Sequence, residues 1–175
     1  MMPFWSKSIA LLSAYNHQNS MTPNGEEPAT ESTRSARWMA LDVGDKRIGV
    51  AVSDPLRLTA RPLTTLARTR DGAEYRQLID LLQRWAVERL VVGVPRRLSG
   101  ETTASTQLVE SFIAEFEGIS GVRVERAEER LSSKEAERLM AEMRIPAEQR
   151  RSKRDAFAAA LILEWYLEEN SGTQK

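Results

Sequence analysis

The first 37 residues and the remainder of the chain follow different patterns of hydrophobic and polar positions. From Gln18 to Arg37 the sequence is rich in Ser, Thr, Asn, Pro and Glu with almost no large apolar side chain, a composition that cannot bury enough surface to fold. Ahead of it, Ser8–Tyr15 forms an apolar patch behind Lys7, interrupted by Ser8 and Ser13 and followed by no A-x-A site, which argues against a secretory signal. Residues 1–37 are therefore expected to be a disordered extension. At Trp38 the pattern becomes regular. Trp38–Val43 is a strand-like apolar run ending at Gly44-Asp45, and Ile48, Val50 and Val52 then alternate with Gly49, Ala51 and Ser53. That alternation predicts a strand with one bulky and one small face. The turn Gly44–Lys46 joins the two as a hairpin. Leu58–Ala67 reads as a third strand, held to a sheet edge by Pro62.

Tyr75, Leu78, Ile79, Leu82, Trp85 and Ala86 then recur at helical spacing. Leu90–Val94 is wholly apolar, as in a strand buried on both faces. A second helix carries Leu108, Val109, Phe112, Ile113 and Phe116 and is expected to end at Gly118. Val122–Glu125 begins a fifth strand, and Ser132 or Ser133 caps a helix to about Met143. After Pro146 a last helix, expected from about Lys153 to Glu168, is apolar on most sides and so predicted to be packed. Three strands in a meander, then helix–strand–helix–strand–helix–helix, make an α/β fold with a mixed sheet and right-handed crossovers. One domain is expected over 38–170, with 171–175 as a tail. No run reaches the ~18 apolar residues of a membrane span, so the expectation is a cytoplasmic protein without a membrane partner.

Composition narrows the chemistry. The 175 residues contain no Cys and a single His, His17, which lies in the extension. Thiol nucleophiles, Cys-held metals, HExxH sites and a Ser-His-Asp triad are thereby excluded. Carboxylates and hydroxyls must carry any catalysis, and carboxylates favour hard cations such as Mg²⁺ or Mn²⁺. Three acidic positions interrupt the pattern. Asp42 breaks an apolar strand on the face shared with Trp38 and Ala40, although it could simply start the turn at Gly44. Glu128 and Glu129 follow the fifth strand, where an acid also suits a helix start. Asp155 opens the apolar last helix, where Ser152–Asp155 also resembles a capping box. Taken together they occupy the carboxyl ends of strands, where open α/β sheets gather reactive groups. Three carboxylates without His or Cys suit one or two divalent ions and phosphodiester hydrolysis.

The acids lie within motifs that resemble one family. Asp42–Asp54 (DVGDKRIGVAVSD) is similar to the D-x-G-x-K-R-I-G-x-A-x-S-D opening of the YqgF (RuvX) proteins. Ala60–Leu66 resembles their A-x-P-L-x-T-I, Val91–Pro95 their V-V-G-L-P, Glu129–Ala136 their E-R-L-T-T-x-E-A, and Asp155–Leu163 their D-x-x-A-A-x-x-I-L. Five blocks in order span roughly 38–169. The resemblance implies an RNase H-like fold, with a five-stranded mixed sheet of an antiparallel three-strand meander plus two parallel strands. It implies a metal-dependent nuclease that matures the 5′ end of precursor 16S rRNA or, on an older reading, resolves Holliday junctions. Carried over, the catalytic and metal-binding set is Asp42, Glu129 and Asp155. Two departures stand out: Glu128 replaces the family's usual Asp, leaving either adjacent acid to bind metal, and Ser99 replaces an Asp before Gly100.

The formal net charge of zero speaks at first against a nucleic-acid partner, but the charge is segregated. Leu56–Arg70 holds four Arg and no acid, and Arg144–Arg154 holds five Lys/Arg against one Glu. Acids cluster instead at Glu110, Glu115 and Glu117 and at Glu164, Glu168 and Glu169. Lys46, Arg47, Arg96, Arg97, Arg130, Arg150, Arg151, Lys153 and Arg154 are the expected contacts to backbone phosphate. Precursor rRNA is the expected partner. Branched or single-stranded DNA is the alternative, and a two-fold junction would call for a homodimer. A non-catalytic RNase H-like binding module is a third reading, disfavoured because unliganded carboxylates cost stability. A D-x-G phosphate loop also opens actin-like ATPases and sugar kinases, but those need two such domains, more than 175 residues supply.

Overall fold

The computed structural model describes residues 37–95, 103–129, 133–142 and 144–171, with side chains 129, 133–136, 148, 149, 151, 152 and 171 known only as backbone. The expected extension lies outside the described residues except for Arg37. That residue begins the first strand, and its Nη1 donates to the Ser53 carbonyl at 2.9 Å.

The strands are β1 (Arg37–Val43), β2 (Arg47–Ser53), β3 (Ala60–Ala67), β4 (Val87–Pro95) and β5 (Val124–Glu129). The helices are α1 (Ala73–Arg84), α2 (Ala104–Ser120), α3 (Ser133–Glu142) and α4 (Ala147–Ser171). The sheet runs β3-β2-β1-β4-β5. β1–β2 and β2–β3 are antiparallel, β1–β4 and β4–β5 parallel. This is the expected five-stranded mixed sheet, an antiparallel three-strand meander plus two parallel strands, with Pro62 on an edge strand and the apolar β4 inside.

The unlike faces of the strands decide the layering. Met39, Leu41, Val43, Ile48, Val50, Val52, Leu90, Val92 and Val94 face α1 and α2, where Leu78, Leu82, Phe112, Ile113 and Phe116 complete the larger core. On the other face Ala40, Ala51, Val91 and Ala127 meet Ala159, Ala160, Ile162 and Leu163 of α4. Helix α3 joins that layer through Leu139 against Leu161 and Met140 against Phe157.

Several boundaries differ from the sequence-based expectation: β3 begins at Ala60 rather than Leu58, β4 at Val87 rather than Leu90 and β5 at Val124 rather than Val122. Helix α2 passes through Gly118 and ends at Gly121, whose φ of 68° supplies the left-handed cap. Gly118 sits on open space, so its small size is not needed there. Strand β5 continues through Glu129, so the acids lie within the strand. Helix α4 begins at Ala147 rather than near Lys153. Asp155 is therefore well inside it, and no Ser152 capping box starts the helix.

Two glycines set how closely α4 lies on the sheet. A Cβ on Gly49 would stand 1.9 Å from the Asp155 carbonyl oxygen and 2.1 Å from its carbon. A Cβ on Gly93 would meet Ile162 Cδ1 at 2.5 Å, the movable end of a side chain. Gly49→Ala is accordingly expected to cost about 3 kcal/mol or more and Gly93→Ala about 1 kcal/mol. Urea unfolding of the two variants checks the ranking, and equal costs would disprove backbone contact as the cause.

Candidate active site

The first acid is placed by strand alternation and the second by the missing side chain opposite it. Asp42 is half-buried near the carboxyl end of β1, on the face that Trp38 and Ala40 turn toward α4. Its cross-strand partner on β2 is Gly49. Because Gly49 has no Cβ, the α4 backbone at Asp155 rests directly on that position. Two carboxylates 113 residues apart in sequence, from 42 to 155, thus come to one place.

The third expected acid is described by its backbone alone. In β5, Glu125 bonds Tyr166 of α4 and Ala127 packs with α4, whereas Val124 and Arg126 face α2. The pleat therefore assigns Glu128 to the α2 face and position 129 to the α4 face that Asp42 occupies. Leu41 pairs with Val92, and Pro95 with Glu129. With strands about 4.8 Å apart and about 3.3 Å per residue, positions 42 and 129 are roughly 12 Å apart at the backbone. Among the described residues no three potential metal-ligating side chains converge.

The basic positions divide into three groups. Lys46, Arg47 and Lys153 are exposed. Arg47 Nε donates to Asp155 Oδ2 at 2.6 Å, and Arg154 Nε contacts Oδ1 at 3.5 Å. Arg150 is directed elsewhere: its Nε donates to the Ile145 carbonyl at 2.7 Å and ties the start of α4 to the preceding loop. Arg96, Arg97 and Arg130 lie outside the described residues, as do Ser99 and Gly100, and Arg151 is known only as backbone.

Three of the four arginines in Leu56–Arg70 cover aromatic rings. Arg57 lies over Trp38 at 5.7 Å, Arg61 over Trp85 at 4.7 Å and Arg68 over Phe112 at 5.7 Å. Such stacking serves packing as much as charge. Arg68 is a positioning residue that the motifs did not single out. Its backbone N–H donates to the Lys46 carbonyl at 2.9 Å, and its Nη1 donates to the Gly44 carbonyl at 3.3 Å. It thus holds the turn that carries Lys46 and Arg47 next to Asp42.

Electrostatically the site is poised for a cation. Burial, and then the nearby Asp155 charge, push the Asp42 carboxyl up to about 6, while Arg154 pulls the other way. Two carboxylates that raise each other's cost in an all-oxygen donor set fit a hard divalent ion, which removes the repulsion on binding. The residues present therefore fit a Mg²⁺- or Mn²⁺-type group.

Known proteins place the chain. A family model described as "RuvX: Holliday junction resolvase" matches residues 36–169. A protein of Roseiflexus sp. (strain RS-1) named "Putative pre-16S rRNA nuclease" is 38% identical over 137 residues, covering 78% of this chain and 97% of its own length. A protein of the same name from Carboxydothermus hydrogenoformans is 41% identical over 132 residues, covering 74% of this chain and 94% of its own. Among solved structures, one titled "Thermus thermophilus RuvC structure" is similar at 15% identity and a TM-score of 0.48, covering 78% of this chain and 97% of that one. No helix among the described residues is long and apolar enough to cross a membrane.

The Asp42 shift has a measurable sign in metal-free protein. Below its ordinary 3.8 the carboxyl is neutral in both the folded and the unfolded chain. As pH rises through about 6 the folded chain must ionise a group that the unfolded chain ionises earlier, so stability falls across that window. Asp42→Asn is expected to exceed wild type by up to about 3 kcal/mol at pH 8, with the difference closing below pH 4. Denaturant unfolding in a chelator at several pH values checks this, and a pH-independent difference would remove burial and repulsion as the cause.

Proposed function

This chain belongs to the RuvX family, and on that premise we propose that it is a divalent-metal-dependent endonuclease of RNA, with precursor 16S rRNA in the bacterial cytoplasm as its substrate. Residues 38–170 would form the nuclease domain. The observation that carries the reading is the meeting of Asp42 and Asp155 over Gly49, with backbone position 129 on the same face at a strand end two strands away. It is supported by relatives bearing a nuclease name, which align over nearly their whole length.

Asp42, Glu129 and Asp155 would hold one or two ions, Mg²⁺ or Mn²⁺. A divalent ion supplies Lewis-acid stabilisation of the charge that develops on phosphoryl oxygens and makes water a better nucleophile. The chain's own residues do the rest. Asp42 is fixed by a strand whose neighbouring Leu41 and Val43 are buried, so its carboxylate holds position without a loop rearrangement. Lys46, Arg47 and Lys153 present exposed positive charge and would contact backbone phosphates, which sets the strand's position without reading its sequence.

A second reading, cleavage of branched DNA, is favoured by the family model's own description. It would require a homodimer presenting two sites to a two-fold junction. Parallel cleavage assays on a precursor rRNA fragment and a four-way DNA junction, with Mg²⁺ or Mn²⁺, separate the two. Wild type is expected to cut the RNA, and Asp42→Asn to lose at least about a hundredfold, more than the loss of a ligand's supporting contact costs. Because that substitution is expected to stabilise the metal-free fold, lost cleavage reports on chemistry. Preferential cutting of the junction selects the second reading. RNA binding without cleavage in either metal selects a non-catalytic module, and full activity of Asp42→Asn refutes the assigned site.

A further inference from the structure

Arg47 occupies a position that phosphate contact alone does not explain. Its backbone is fixed from two sides: Gly44 N–H donates to its carbonyl at 2.9 Å, and it pairs with Ala67 on β3. From there its Nε donates to Asp155 Oδ2 at 2.6 Å, the shorter of the two guanidinium contacts to that carboxylate. The Arg47 side chain is 43% exposed and Asp155 only 15%. The guanidinium thus covers the carboxylate from the solvent side.

This arrangement conflicts with a divalent ion on the same oxygen. A carboxylate oxygen has lone pairs for two partners, but a guanidinium and a divalent cation sharing it repel each other at contact distance. We propose that Arg47 is a positioning residue that acts as the resident counter-cation of Asp155. A divalent ion displaces it, and the freed guanidinium then takes a backbone phosphate of the nucleic acid, which suits its planar fork. The inference rests on the reading that Asp42 and Asp155 hold the ion. Its consequence is coupling: the nucleic acid that removes Arg47 from Asp155 raises metal affinity, and the metal raises nucleic-acid affinity by the same factor.

Calorimetric titration of metal-free, full-length protein with Mn²⁺ in the absence of nucleic acid tests it. Arg47→Gln is expected to bind Mn²⁺ roughly two- to fivefold more tightly than wild type, the scale of a partly exposed ion pair. A purely structural role for Arg47 predicts the opposite sign, because loosening the turn would weaken the site. Lys46→Gln removes the same charge one residue away, from a side chain that does not touch Asp155, and is expected to shift affinity much less. Unchanged or weaker binding by Arg47→Gln, or an equal gain in Lys46→Gln, overturns the proposal. Asp42→Asn and Asp155→Asn are the control for the underlying reading: wild-type Mn²⁺ affinity in both would refute the site itself, whatever Arg47 does.

Discussion

The approach of the Asp155 backbone to Gly49 is the contact on which the site and the α4 layer both depend. An added methyl would stand 1.9 Å from the Asp155 carbonyl oxygen, well inside van der Waals contact, so α4 can take this depth only over glycine. Its depth also requires Ala40, Ala51 and Ala127 along the same face, where larger residues would hold the helix off. Fold and chemistry therefore share one cause. The small face of β2 lets a helix rest on the sheet, and the helix brings a carboxylate to the cross-strand neighbour of Asp42. The bulky face of the same strand supplies Ile48, Val50 and Val52 to the larger core.

That contact explains why some features were legible in sequence and others were not. Strand identity and faces follow from local alternation, so β1, β2 and β4 and the side on which Asp42 lies could be read directly. The start of α4 could not. Pro146 suggests a break and Ser152–Asp155 looks like a cap, yet the helix begins at Ala147 and Arg150 bonds the Ile145 carbonyl. A local capping pattern was overridden by packing six residues upstream of the expected start. The end of α2 shows the same limit, since Gly118 and Gly121 are equivalent as letters and only Gly121 adopts positive φ. The choice between Glu128 and Glu129 likewise needed the phase of β5, set by Val124 and Ala127 packing on opposite faces.

Charge was the least legible property, because sequence shows its sign but not its partners. The run from Leu56 to Arg70 stands out in sequence as a block of four Arg with no acid. Folded, it spreads its arginines over Trp38, Trp85 and Phe112 and uses Arg68 to hold the Gly44–Lys46 turn. Among the described residues, Lys46, Arg47 and Lys153 are exposed cations of the expected set, and Arg47 is in contact with Asp155. A net charge of zero gives little long-range attraction for a polyanion. The salt sensitivity of nucleic-acid binding would then follow from the number of cations in contact with phosphate rather than from total charge.

The repulsion between Asp42 and Asp155 is retained because neither acid can retreat. Asp42 is anchored by Leu41 and Val43, which are buried in the larger core. Asp155 is anchored by the backbone contact at Gly49 and by Ala156, Phe157 and Ala159, all buried on α4. Protonation of Asp42 is one relief, which is why its carboxyl is pushed up to about 6, and the Arg47 and Arg154 contacts on Asp155 are another. A divalent ion held by Asp42 and Asp155 would relieve both acids at once without rearranging the elements that carry them. Its affinity would then come largely from a cost already built into the metal-free fold, a cost that the two buried cores allow the fold to carry.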